Sequence, residues 1–260
     1  MSVDKSTCRL CREVKELRRS HILPDALFRS IKRQNSGKLI SFDDSKYTSV
    51  KYSSESWWEY LLCSDCEGII SGYEKYGLEV LRGIPKNMGQ SQSSGLTMRN
   101  VNYPKFKLFA TSLLWRAAVS DHDAFTKVVL PYSLTEEARS SLIFGRPLGA
   151  FKLGCKIARL FDQTLESEGG FSNTDIKQLI ISPISRIRSR YVSFIFVIEG
   201  YLLEFFAPSI PLNESTRQGF LKNAKVLYVP NKNIFEIEEL VNIMVSGYRK
   251  ADLGMITFRE

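Results

Sequence analysis

Apolar residues follow two rhythms along this chain. Near the N-terminus, Thr7 to Leu17 reads as a short hairpin and Arg18 to Leu23 as a strand that Pro24 stops. Ala26, Leu27, Phe28 and Ile31 supply the apolar material of a short helix over Asp25 to Arg33. Lys38 to Phe42 and Tyr47 to Tyr52 are predicted strands, with Asp43-Asp44-Ser45 as the turn between them. From about Asp65 to Leu81 the rhythm becomes helical. Ile69, Tyr73, Tyr76 and Val80 are spaced 4, 3 and 4 apart, which places them on one face.

Beyond Gly83 to Gly95, which is rich in Gly, Ser, Gln and Asn, helices come first. Phe106, Phe109, Ala110, Leu113, Leu114 and Ala117 share a helical face. Ser133 with Glu136 is a capping-box signal for a second helix that stops near Gly145 and Pro147. A third helix is predicted over Leu153 to Leu165. Strands are predicted at Ile176 to Ser182, Tyr191 to Ile198, Tyr201 to Ala207 and Ala224 to Val229, with a hairpin turn at Glu199-Gly200. Tyr191 to Ile198 is almost wholly apolar, as a strand covered on both faces would be. A last helix is expected after Asn233, with Glu236 three residues on, burying Ile237, Leu240, Val241 and Met244. The fold class is therefore α+β. Residues 1–82 form one unit, 83–103 a linker, and 104–260 a helical segment followed by a mainly antiparallel sheet.

Composition narrows this picture. The 260 residues are 43% hydrophobic and 25% charged, which excludes global disorder. Thirty-six Lys and Arg against 28 Asp and Glu leave a net charge of +8, a balance that favours anionic partners. Met1 to Lys5 is polar and no apolar run follows it, so no secretory leader is expected. The most apolar stretch is broken by Glu199, Gly200 and Glu204. Membrane association is not expected, and a cytoplasmic location is the default.

In a reducing compartment, paired Cys-x-x-Cys units point to a metal before they point to disulfides. Cys8-Arg9-Leu10-Cys11 and Cys63-Ser64-Asp65-Cys66 are two such units. Each turn can hold two thiolates on one side, and the two together close a tetrahedral zinc site. Four protein ligands leave no open position, so this zinc would be structural. Cys155 stands alone and reads as a small buried hydrophobe.

Between the pairs stands Ser20-His21-Ile22-Leu23-Pro24. A Cys-x-x-Cys, then His-Ile-hydrophobic-Pro, then Leu-Leu-Cys-x-x-Cys resembles the zinc-stapled branch of the HNH (ββα-metal) endonucleases, over residues 7–82. The chain is also similar to a group of uncharacterised bacterial proteins with a Ser-His-Ile-x-Pro core and a Cys-x-x-Cys-Glu helix. In that group the likeness extends to Leu114-Trp115-Arg116-Ala117. The resemblance implies an HNH-like ββα unit in which His21 is the general base of phosphodiester hydrolysis, beside Mg²⁺ or Mn²⁺. It also makes a bacterial, phage-defence setting plausible. The chain departs from the family at three positions. Ser20 stands where an acidic or His ligand is usual, Trp58 and Glu59 where Asn is usual, and Glu67 where His or Asn is usual. Glu67, with Glu59 or Glu74, is then the candidate ligand set for the catalytic ion. Glu67 and Glu74 also fit an ordinary solvated helix face.

Basic residues are the second functional signal. Residues 1–33 carry nine Lys and Arg against four acids, with Arg18 and Arg19 just before His21. Arg186, Arg188 and Arg190 alternate, so an extended chain would aim all three the same way. Lys152, Lys156 and Arg159 would align on a helix. Arg18, Arg19, Arg186, Arg188 and Arg190 are therefore candidate nucleic-acid contacts, with DNA the favoured partner. Trp57, Trp58 and Tyr60 read as core packing or as a base-stacking cluster. His122 is expected just past a helix end. No Walker A loop, Gly-x-Gly-x-x-Gly, Gly-x-Ser-x-Gly or His-Glu-x-x-His is present. Three readings remain open: a metal-dependent endonuclease, a non-catalytic zinc module that binds nucleic acid, and a protein-interaction subunit. Self-association or a protein partner would use the C-terminal part.

Overall fold

The computed structural model describes residues 5–34, 39–41, 50–53, 56–83, 89–189, 191–224, 226–254 and 256–258. Strand β1 (Lys5–Thr7) turns through the first cysteine pair into β2 (Val14–His21), its antiparallel partner. Helix α1 (Asp25–Gln34), β3 (Leu39–Ser41) and β4 (Val50–Ser53) follow. Then β5 (Trp58–Cys63) runs straight into α2 (Ser64–Leu81). β5 pairs antiparallel with β2, giving a small sheet of order β1-β2-β5 with α2 against it. The expected hairpin and strands are there, although residues 14–21 form one strand rather than two. The Asp43-Asp44-Ser45 turn lies outside the described residues.

The rest of the chain builds a seven-stranded sheet. It starts with β6 (Gly89–Gln92) and β7 (Gly95–Arg99), so part of the stretch read as linker pairs into that sheet. Helices α3 (Tyr103–Val119) and α4 (Tyr132–Phe144) come next. Then follow β8 (Gly154–Phe161), α5 (Asn173–Lys177), β9 (Ile184–Ile187), β10 (Val192–Ile198) and β11 (Tyr201–Ala207). Helix α6 (Leu212–Ser215), β12 (Val226–Asn233), α7 (Glu238–Asp252) and β13 (Ile256–Phe258) complete the chain. The sheet order is β6-β7-β12-β8-β11-β10-β9, antiparallel except for β12 beside β8. A third small sheet joins β13, β4 and β3. The class is α+β with mostly antiparallel strands. Among the described residues, no helix is long and apolar enough to cross a membrane.

β10 confirms the two-sided burial its composition predicts. Phe194, Phe196 and Ile198 join the main core, while Ile195 and Val197 join the second core on the other face, with Ile234, Ile237 and Leu240. Glu199 (φ 51°) and Gly200 (φ 75°) make the β10–β11 turn with both central residues left-handed, as a twisted two-residue hairpin needs. The main core is continuous from Leu10 and Ile22, beside the cysteines, through α3 to β12.

Several expectations are corrected. Residues 154–161 are a strand, not a helix. β8 lies between β12 and β11 and is apolar towards both cores, and such a strand cannot be told from a buried helix by period alone. Lys152, Lys156 and Arg159 therefore do not share a helix face. Ile176 to Ser182 is not a strand. A capping box of Ser172 and Asp175 starts α5 there, and pairing resumes at β9. Ser133 does not cap α4, which follows Pro131, and Glu136 turns instead to Arg12 and Arg139. Gly145 (φ 64°) ends that helix as expected. Asn233 caps a short 3-10 turn that ends at Ile237, and α7 begins only at Glu238; Ile237 and Leu240 are buried, Val241 and Met244 only in part.

Helix α3 is the largest departure. It buries every residue from Phe106 to Ala117, not one face. A helix closed in on all sides must satisfy its polar groups internally. Lys107 donates to the Leu153 carbonyl, and burial pulls its amine down to about 8. Helix α2 buries Cys66, Ile70, Gly77, Leu78 and Leu81 as well as Val80, a face rotated from the predicted stripe. The shift lets α3 come close. A Cβ on Gly77 would fall 2.0 Å from the Phe109 ring.

Candidate functional site

The first cysteine pair sits in the turn from β1 to β2. Cys8 N–H donates to the Glu13 carbonyl at 2.9 Å, and Arg12 N–H to the Cys8 carbonyl at 2.9 Å. Arg12 takes a left-handed φ of 68° to close the turn. The second pair spans the β5–α2 junction, where Cys63 is the N-cap and Cys66 lies in the first helical turn. The fold brings the two halves together. Arg9 N–H reaches the Leu61 carbonyl at 3.1 Å, and Cys63 N–H points at Cys8 Sγ at 3.4 Å.

All four Sγ atoms lie within 4.8 Å of one another, and Cys11 and Cys63 are 3.9 Å apart. Bonds of about 2.3 Å in a tetrahedron separate sulfurs by roughly 3.8 Å, so the cage fits zinc. Burial raises the Cys8 thiol, but the backbone N–H groups of Cys11, Cys63 and Leu10 outweigh it and hold Cys8 below its ordinary value. Burial pushes Cys11 and Cys66 up. A divalent cation supplies the charge that ionises such thiols, and the positive end of α2 favours the anions at its first turn.

The residues around His21 form two groups separated by the sheet. His21 pairs across the strands with Trp58, and Arg19 with Tyr60, so these four share one face. Ser20 pairs with Glu59, and these two point to the other face. On its own face His21 has Nε2 2.9 Å from Ser56 Oγ and 3.3 Å from Asp25 Oδ1, and Asp25 also takes Arg29 at 2.9 Å. Burial lowers the His21 pKa. Asp25 opposes that, and the charges of Arg19, Arg116 and Lys32 add to it. Burial thus favours the neutral imidazole more than in a free histidine.

On the inner face, Ser20 accepts from Leu62 N–H at 3.0 Å and hydrogen-bonds Glu67. Glu67 and Glu74 do not lie on a solvated face. Arg116, 1% exposed, pairs with Glu74 and lies beside Glu67. Its other nitrogen donates to the His21 carbonyl at 2.5 Å. Burial lifts the Glu67 carboxyl above its usual range, against the pull of Ser20 and Arg116. Its Oε1 is sealed with no hydrogen-bond partner among the described residues. Glu59 accepts from Ser120 Oγ and from Asp121 N–H, which fastens the end of α3. His122 lies just past that end, as expected, and its Nδ1 accepts from Ala124 N–H at 3.1 Å.

Glu59 is thus engaged at the end of α3 and Glu74 by Arg116, while Glu67 lies buried beside Ser20 and Arg116. Among the described residues, only the four cysteines form a group of three or more His, Cys, Asp or Glu side chains at metal-ligand spacing. The four cysteines fit a structural metal such as zinc.

The basic candidates also divide. Arg186 is half-buried, bidentate on Glu239 and 3.3 Å from Glu204, which also takes Ser193 at 2.8 Å. Those bonds hold α7 to the sheet. Arg188 is exposed past the end of β9, and Arg190 lies outside the described residues. Lys156 pairs with Glu214 at 2.7 Å. Arg18 is exposed beside Glu16 at 3.2 Å. The Arg19 guanidinium carbon lies over the Trp58 ring, 3.9 Å from its centroid. Asp25, Ser56 and Arg116 escaped the sequence reading as neighbours of His21. The signals for Arg116 were a charge inside a largely apolar helix and its place in the Leu114-Trp115-Arg116-Ala117 stretch of the resemblance.

No protein-family model, curated protein or solved structure matches the chain.

Proposed function

We propose that this chain is a zinc-stapled ββα endonuclease in which His21 acts as general base on nucleic acid. What supports this reading is an imidazole at the end of β2 whose charged form burial disfavours, in a strand–strand–helix unit whose knuckle can hold a structural zinc. In this reading His21 takes the proton of a water that attacks phosphorus, a P–O bond breaks, and solvent protonates the leaving oxygen. Asp25 steadies the imidazolium. Arg19, on the same face, offers positive charge to the phosphate.

The second reading is a zinc module that binds nucleic acid without cutting it. The engagement of Glu67 by Ser20 and Arg116, on the face opposite His21, favours it. A cleavage assay separates the two. Supercoiled plasmid, linear DNA and RNA are incubated with Mg²⁺, Mn²⁺ or EDTA, using wild type and a zinc-loaded His21→Ala protein. Cutting by wild type that is lost in the variant supports the nuclease. Binding without cutting on every substrate sinks it in favour of the module.

A further inference from the structure

We infer that the outer face of β2 and β5 is a stacking platform for single-stranded nucleic acid, with Tyr60 taking a base and Arg19, seated over Trp58, the backbone phosphate. This rests on the nucleic-acid reading above and gives it a substrate class. The three tryptophan-region rings are used differently. Trp57 turns inward, edge-on to Phe28 at 5.6 Å and to Phe125 at 5.4 Å. Trp58 and Tyr60 turn outward, in edge contact at 5.6 Å, and Tyr60 is 66% exposed. Tyr60 therefore presents an aromatic ring to solvent next to the Arg19–Trp58 pair.

Charge chooses the occupant. Most cations of this unit already have a carboxylate: Arg9 has Asp121, Arg12 has Glu136, Lys15 has Asp65, and Arg29 has Asp25. Arg19 has none among the described residues, and its guanidinium carbon sits over the indole, 3.9 Å from the ring centroid. A guanidinium over an aromatic ring keeps N–H donors for phosphate. An acidic peptide would satisfy the charge but not the Tyr60 ring. A duplex hides its base faces and offers only edges, so exposed rings select unstacked bases. His21 lies one residue pair further along the same face, so a strand seated on Tyr60 and Arg19 passes beside it.

The test is fluorescence-polarisation binding by the zinc-loaded full chain to labelled single-stranded DNA, single-stranded RNA and duplex DNA, over a range of salt. The inference expects both single strands to bind more tightly than the duplex. Tyr60→Ala weakens single-strand binding about 5- to 150-fold, while Tyr60→Trp retains it. Arg19→Ala flattens the salt dependence by about 0.7 in the log–log slope. Tyr132→Ala, an exposed ring on α4, changes nothing. Because Tyr60 is at the surface, its variants keep the fold even if Trp58→Ala does not. Tighter duplex binding, or full single-strand affinity in Tyr60→Ala, overturns the platform and leaves the nuclease reading standing. No binding to any of the three overturns both.

Discussion

Arg19 and Arg186 are both arginines on strands, both drawn from basic runs, and the fold puts them to different uses. Arg186 is enclosed by Glu239 and Glu204 and fastens α7 to the seven-stranded sheet. Arg19 lies on Trp58 at the outer face of the small sheet, with no acid opposite among the described residues. The difference lies in what packs across from each. A helix bearing Glu239 covers β9, and the outer face of β2 and β5 carries aromatic rings. A basic stripe stays open to solvent only where no acid packs directly across from it.

The sharpest way to break this comparison is to empty the four-cysteine cage of the metal it can hold. Structural zinc sites contribute on the order of 10 kcal/mol, so chelation or Cys63→Ser is expected to dismantle the Arg19 side first. Hydrogen exchange checks it: amides of 58–81 lose protection while those of β10 and β11 keep theirs. Equal protection throughout, with the cage emptied, would show that the knuckle is not the staple.

Next in size is Arg116, which joins the two halves through Glu74 and the His21 carbonyl. Arg116→Met leaves a buried carboxylate without its cation and is expected to cost about 3–5 kcal/mol in urea unfolding. Adding Glu74→Gln should recover part of that loss. If the single variant is as stable as wild type, the pair does not bridge the units.

The direct comparison is smaller. Arg186→Ala should lose about 1–3 kcal/mol of stability and leave oligonucleotide affinity unchanged. Arg19→Ala should do the reverse, with stability within about 0.5 kcal/mol of wild type. Denaturant midpoints and polarisation titrations on the same two proteins decide it.

The finest effect is the His21 titration. Burial disfavours the charged ring, so its NMR midpoint is expected below 6.5. Asp25→Asn should lower it further, because Asp25 favours the imidazolium. The unfolded chain takes the proton first. This contribution to stability is therefore full above the unfolded value near 6.5, and it is lost as pH falls towards the folded midpoint. A midpoint above 6.5 would mean that Asp25 outweighs burial and that the ring is not a neutral base.

Local signals in the sequence settled a good part of this protein. The two Cys-x-x-Cys units identified their own cage, because the ligand spacing within each turn is short-range. The β10–β11 hairpin was legible from apolar runs around Glu199-Gly200, and the α2 helix from its period, although its buried face was rotated by the approach of Phe109 to Gly77. Tertiary structure decided the rest. β8 reads as either helix or strand until β12 and β11 cover it. Glu67 and Glu74 read as solvated until Arg116 arrives from α3, and Arg186 reads as a nucleic-acid contact until α7 supplies Glu239. Trp57 and Trp58 are neighbours in sequence, and strand alternation sends one ring into the core and the other onto the face with Arg19. Periodicity reports which side of an element faces inward. What a charge meets there depends on residues tens to more than a hundred positions away.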